Sequence, residues 1–203
     1  MYKLNITIIF ILTLSGCFGG GAEVPQDNFY RLADVASAQK IDSPFNVVAV
    51  ASFKSDALHQ ERAILYSEAA QPLNIQRYHY HHWTQVPNQL IQEHLIDYLR
   101  EAGFATRIVR YGEVVKIDAK VSGFIKRFER VLDAGAVKVR VELELHIETL
   151  ADKREYFQST YSIEQKTSDS SMHASVVALS AALENIYQQF LSDIARKGML
   201  KTG

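Results

Sequence analysis

The chain has 203 residues, with 22 basic and 23 acidic side chains and a formal net charge of −1. That near balance argues against nucleic acid as a partner, because phosphate binding needs a basic face. The single cysteine, Cys17, excludes an intramolecular disulfide and fits a point of lipid attachment better than a zinc or redox site.

Residues 1–17 read MYKLNITIIFILTLSGC. Lys3 precedes an apolar run from Leu4 to Leu14, too short for a bilayer span of about 20 residues and of the length of a signal-peptide hydrophobic region. Leu14-Ser15-Gly16-Cys17 resembles the bacterial lipobox: a large aliphatic residue, two small residues, then cysteine. The expectation is a lipoprotein signal peptide over residues 1–16, with a diacylglycerol on the Cys17 thiol and a further acyl chain on its freed amine. Phe18 stands where an aspartate commonly retains Gram-negative lipoproteins in the inner membrane. Its presence implies the outer membrane, with the protein facing the periplasm. Residues 17–28, rich in glycine and polar side chains, read as a lipid-anchored flexible tether. Residues 29–203 have the size of a single domain.

Order is expected to begin at Phe29-Tyr30-Arg31-Leu32, with a connection over 33–44. FNVVAVASF, 45–53, is a nearly continuous apolar run and reads as a strand buried on both faces. RAILYSE, 62–68, and LNIQRYHYHHW, 73–83, are two further strands, with Pro72 and Asn74 marking the turn between them. Residues 87–102 predict a helix. Pro87 suits its first turn, an apolar face recurs at three- and four-residue spacing, and Gly103 is placed to stop it.

From Val115 to Gly123 apolar residues hold the odd positions. Phe124 and Phe128 break that parity and predict a bulge near Gly123. Val137 to Glu148 alternates strictly, which predicts a strand with one wet face. Asp133-Ala134-Gly135 is the hairpin turn before it, and a third strand follows over about 155–165. Met172, Val176, Leu179, Leu183, Ile186, Phe190 and Ile194 stripe a long helix over about 171–197, capped by Ser170 or Ser171 and ended by Gly198. The fold class is therefore α+β: a mostly antiparallel sheet with two long helices packed on one face.

In order along the chain come the lipobox at Cys17, FYRL, VVAVASF, RAILYS, an aromatic strand ending in Trp83 with Pro87 four residues on, LIQEHLIDYL, GFIKRFER with its hairpin, and SVVALSAALENIYQQF. The ordered set resembles the ABC-type transport auxiliary lipoprotein family, which includes the paraquat-inducible protein C lipoproteins. No single motif is specific, and the histidines of Tyr78–His82 depart from the expected pattern. The resemblance implies a non-enzymatic part without a cofactor. Its partners would be a periplasmic protein with MCE domains and the ABC permease and ATPase that move phospholipid between the membranes. It also leaves room for a homo-oligomeric ring.

RYHYHHW, 77–83, is the densest cluster of chemistry-bearing side chains. In a regular strand His79, His81 and Trp83 share one side and Tyr78, Tyr80 and His82 the other. His79 and His81 are then the metal candidates, with His59 and His94 as contributors that the fold would have to supply, since zinc needs three or four ligands. The preferred reading is that Tyr78, Tyr80 and Trp83 pack under the helix beginning at Pro87. A partner-facing aromatic surface is the alternative, and the family pattern favours packing for Trp83. A free-standing ligand- or metal-binding periplasmic lipoprotein is the competing functional class. No Gly-x-Ser-x-Gly or phosphate-loop spacing supports hydrolase chemistry. Asp118 and Glu113 read as isolated, solvated carboxylates, and His94 as a hydrogen-bonded core histidine. Lys138, Arg140, Glu142 and Glu144 read as a wet sheet face or a subunit interface.

Overall fold

The computed structural model describes residues 25–36, 38–113, 116–150 and 156–199. The expected signal peptide, Cys17 and residues 18–24 of the expected tether lie outside the described residues, as does Val115. Among the described residues there are nine strands in one mixed sheet and two α-helices, an α+β fold.

The sheet is organised by one long strand, β7 (Ala119–Asp133). Along one edge it pairs antiparallel with β8 (Ala136–Thr149), which pairs antiparallel with β9 (Tyr156–Lys166). Asp133 faces Ala136 across a two-residue turn in which Ala134 has φ 41° and Gly135 φ 91°. Two positive φ values are what a type I′ turn demands, and its twist matches that of the flanking strands. The other edge of β7 takes three short strands end to end, all parallel. They are β2 (Val47–Val50) at Ala119–Val121, β3 (Lys54–Ser55) at Phe124–Ile125 and β4 (Ala63–Glu68) at Glu129–Leu132. β4 pairs antiparallel with β5 (Gln71–Trp83), whose last three residues pair in parallel with β1 (Asn28–Tyr30). On the far side of β2 lies β6 (Arg107–Arg110), also parallel.

The first helix, α1 (Pro87–Ala102), supplies the crossover that a parallel neighbour of β2 requires. It stops at Gly103, φ 69°, in the left-handed region. The second, α2 (Met172–Arg196), starts at Ser171, whose hydroxyl accepts from the Ala174 N–H at 3.0 Å. α2 packs on β8 and β9, α1 on β2 and β6, and the helices touch each other. A single core joins them to the inner side of the sheet: Val139, Val141, Leu143, Leu145 and Ile147 from β8 meet Leu183, Ile186 and Phe190, and all eight are fully buried. The connection over 33–44 is tied to both helices, through Ala33 N–H to the Ser180 hydroxyl (2.9 Å) and Ile41 N–H to the Ala102 carbonyl (2.9 Å).

Several expectations are corrected. The turn between β4 and β5 is Ala69-Ala70, with Glu68 facing Gln71, so Pro72 and Asn74 lie inside β5. Proline is tolerated there because β5 meets β1 only at residues 81–83, which leaves Pro72 on an open edge. Gly123 pairs regularly with Leu145, and the register slip falls between Ile125 and Arg127. The apolar run 45–53 is a strand only at Val47–Val50, where Val48, Ala49 and Val50 are fully buried. β1, β3, β6 and a 3-10 turn at Leu58–Gln60 were not expected from the pattern. No helix among the described residues is long and apolar enough to cross a membrane.

Candidate functional site

The aromatic strand β5 does not alternate as a regular strand would. Leu65 of β4 faces Arg77, yet Ala63 faces His82, so β5 advances five residues where β4 advances two. The extra residues bring Tyr78 and His81 to the same side, which corrects the expected parity. Their rings meet edge-on at 5.5 Å, and Tyr66 lies 4.5 Å from Tyr78. Tyr30, carried in by β1, shares a hydrogen bond with His81 Nδ1 at 3.0 Å.

Beneath this cluster lies Arg130 of β7, 5% exposed. Its Nη1 donates to the Tyr78 hydroxyl at 2.6 Å and its Nη2 to the Ser170 carbonyl at 2.9 Å. The guanidinium carbon stands 5.2 Å from the Tyr78 ring centre. Its Nε has no hydrogen-bond partner, and both of its hydrogen bonds go to neutral groups. Burial first, then the Arg130 charge and His82, hold His81 below the usual imidazole range. Burial pushes the Tyr78 phenol up, with Arg130 opposing.

At this edge of the sheet Tyr80 of β5 is 46% exposed and Phe29 of β1 54%. His79 is exposed beside Tyr80, His82 lies 5.6 Å from the Phe29 ring, and the Arg62 guanidinium sits 5.1 Å above that ring. Trp83 is 1% exposed and stacks on Phe128 at 5.2 Å. The three predicted aromatics thus separate: Trp83 lies in the core, Tyr78 is half-buried on Arg130, and Tyr80 faces out.

The histidines do not converge. His81 is held by Tyr30 and Tyr78, and His59 is buried with Nδ1 2.7 Å from Asp56 Oδ1. His94 is 6% exposed beside Tyr187. Among the described residues no three His, Cys, Asp or Glu side chains are grouped to hold a metal ion. The Asp56–His59 pair has the form of a base with its orienting carboxylate. Its Nε2 is nevertheless buried and bonds to no hydroxyl, so no activated nucleophile is assembled there. His94 was expected to be hydrogen-bonded. Neither ring nitrogen makes a bond of good geometry, although the Ala33 carbonyl nearby favours the charged form slightly. Burial dominates and lowers its pKa to about 4.

The outer face of β7, β8 and β9 is a lattice of ion pairs. Arg140 bonds Glu164 at 2.6 Å, and Lys138 reaches Glu164 at 3.2 Å and Asp133 at 3.3 Å. Arg127 meets Glu142 at 3.4 Å, and Glu144 takes Lys126 at 3.2 Å and His146 at 2.8 Å. Within this lattice Glu129 has a side chain only 3% exposed, with Arg127 and Arg140 each at 3.9 Å and the Ser67 hydroxyl donating at 3.3 Å. Burial raises its carboxyl, and the arginines oppose this. The carboxylates expected to be isolated are engaged. Asp118 Oδ2 accepts from the N–H groups of Asn46 (2.7 Å) and Val47 (2.9 Å), fixing the entry to β2, and Glu113 pairs with Arg110 at 3.4 Å. Arg130 and Glu129 were missed in the sequence. The one signal was four charges, Lys126, Arg127, Glu129 and Arg130, inside the strongly β-forming run GFIKRFERVL.

The family model of the ABC-type transport auxiliary lipoprotein component matches residues 30–190. The chain belongs to the ABC-type transport auxiliary lipoprotein family. Its fold is similar to the crystal structure of a Xanthomonas campestris protein assigned to the DUF330 family model, at a TM-score of 0.68 and 17% identity, covering 84% of this chain and 96% of that one. A second crystal structure, of an uncharacterised protein, superposes at a TM-score of 0.57 and 13% identity, covering 85% and 98%. No curated protein matches the sequence.

Proposed function

We propose that this protein is the outer-membrane lipoprotein of an ABC transporter system that moves phospholipid between the two membranes. In that role it is a non-catalytic docking component for a periplasmic protein with MCE domains. The observation that carries the reading is the family match over residues 30–190, which makes the chain an auxiliary lipoprotein of ABC-type transport. Leu14-Ser15-Gly16-Cys17 supports anchoring through a diacylglycerol and an N-acyl chain on Cys17, with residues 1–16 removed and residues 17–28 leading to the domain. Two or more chains make such anchoring stable, since each buried methylene contributes roughly 0.8 kcal/mol.

A tagged copy purified from detergent-solubilised envelopes should recover an MCE-domain protein with its permease and ATPase. Recovery of unrelated envelope proteins alone rejects the assignment. Labelled palmitate should enter the wild-type chain and not Cys17→Ala, and the labelled protein should fractionate with the outer membrane. Stoichiometric zinc or copper lost on replacing His79 and His81 would instead support a metal-binding lipoprotein.

A further inference from the structure

We propose that the edge formed by β1 and β5, beside the chain entry, seats against the phosphate head groups of the anchoring membrane, with Arg130 supplying the charge that attracts them. The inference rests on the anchoring reading above and adds which surface meets the bilayer.

A buried guanidinium with no carboxylate is costly unless something compensates it. Arg130 is such a group, with an unpartnered Nε and its two remaining bonds made to a neutral hydroxyl and a carbonyl. Its field reaches outward through Tyr78 and is felt at His81 and Tyr30. The Tyr78 hydroxyl accepts from Arg130 and makes no other hydrogen bond among the described residues, which leaves its proton for an outside acceptor. Tyr78 lines a groove of about 770 Å³ with Tyr66, Tyr80 and His81. Glu61, the acidic residue lining this groove, is paired with Arg77. The site therefore presents the buried Arg130 charge behind the Tyr78 phenol, a fit for a phosphate oxygen.

The surroundings suit a bilayer interface. Tyr80 and Phe29 are exposed aromatics, Phe29 with the Arg62 guanidinium over its ring, and amphipathic tyrosine rings are enriched at head-group depth. The occupant follows from where the chain enters. Asn28 begins β1 and its Nδ2 reaches the Tyr80 carbonyl at 3.4 Å, so the segment from the lipid arrives at this face. Eleven peptide links separate Cys17 from Asn28, a reach of at most about 40 Å fully extended. Two other exposed tyrosines belong to other elements and serve as controls: Tyr111 follows β6, with the Lys120 ammonium 5.5 Å from its ring, and Tyr156 begins β9, 5.9 Å from His146.

The test reconstitutes the mature acylated protein in vesicles of phosphatidylethanolamine and phosphatidylglycerol doped with a phospholipid carrying a photoactivatable head group. Labelled peptides are mapped by mass spectrometry. The expected result is labelling at Phe29 and at residues 77–82 at least fivefold above that at Tyr111 and Tyr156. Arg130→Gln should lower it several-fold with little change in helix content. Tyr78→Phe, which keeps the ring and removes the free proton, provides the same test should Arg130→Gln fail to fold. Even labelling over all faces, labelling concentrated at Tyr111 or Tyr156, or labelling untouched by both substitutions overturns the inference. Intact mass of the same sample separates the two claims. An unacylated chain rejects the anchoring and this inference with it, whereas an acylated chain labelled evenly rejects this inference alone.

Discussion

Gly123 shows how one missing methyl group sets the packing of the sheet. A Cβ built there would lie 2.8 Å from Phe53 Cδ1 and 3.0 Å from the Glu144 carbonyl oxygen. Phe53 is 2% exposed, so its ring has nowhere to retreat. Gly123→Ala should therefore destabilise the domain by about 1–3 kcal/mol, the range for overpacking a filled core. Urea unfolding reads this, and adding Phe53→Leu should recover part of the loss. His94 acts through protons instead. Its pKa falls from 6.5 to about 4 in the folded chain, so between those values the unfolded state holds the extra proton. Stability is then complete above about pH 6.5 and falls as the pH drops toward 4, by up to about 3 kcal/mol. Glu129, whose carboxyl is raised, runs in the opposite sense, so wild type must be compared with a variant. His94→Leu should flatten the loss of melting temperature between pH 7 and pH 5. An unchanged slope removes His94 as its source.

At the scale of elements, the charged lattice on β7, β8 and β9 is not uniform. Lys126 pairs with Glu144 near the surface, and exposed pairs of this kind contribute at most about 1 kcal/mol. Arg140 serves Glu164 and also faces the buried Glu129. Arg140→Glu should thus cost about 2 kcal/mol or more, and Lys126→Glu less than about 1, in paired thermal melts. Charge reversal at Lys126 is the cleaner probe of whether this face binds another subunit, because it leaves Glu129 compensated. What could be read beforehand follows the same division. β8 was legible because one side is wet and the other dry along its whole length, and both helices announced their faces and their stops at Gly103 and Gly198. β6 and β3 were not, since short strands paired in parallel carry no alternation and no turn of their own. β5 misled because a register slip lies inside it and its proline sits on an open edge. Arg130 and Glu129 were invisible because burial of a charge depends on which strands flank β7, and three of those arrive from distant parts of the chain.

Across the whole molecule, those distant arrivals tie the sheet into one unit. β7 is flanked on one side by β8 and on the other by β2, β3 and β4, so neither half of the sheet can separate without losing pairs to it. α1 rests on the side of β2 and β6, α2 on the side of β8 and β9, and one continuous core joins them. Trp83, the only tryptophan, stacks on Phe128 of β7 within that core and so reports on the junction itself. Far-UV circular dichroism, in contrast, is dominated by the two helices. If the core is cooperative, the two signals must change together: urea transitions followed by Trp83 emission and by helix signal should superpose with a common midpoint and slope. A tryptophan transition that precedes the loss of helix would mean that the edge formed by β1 and β5 opens on its own. The domain would then be two cooperative units joined at β7.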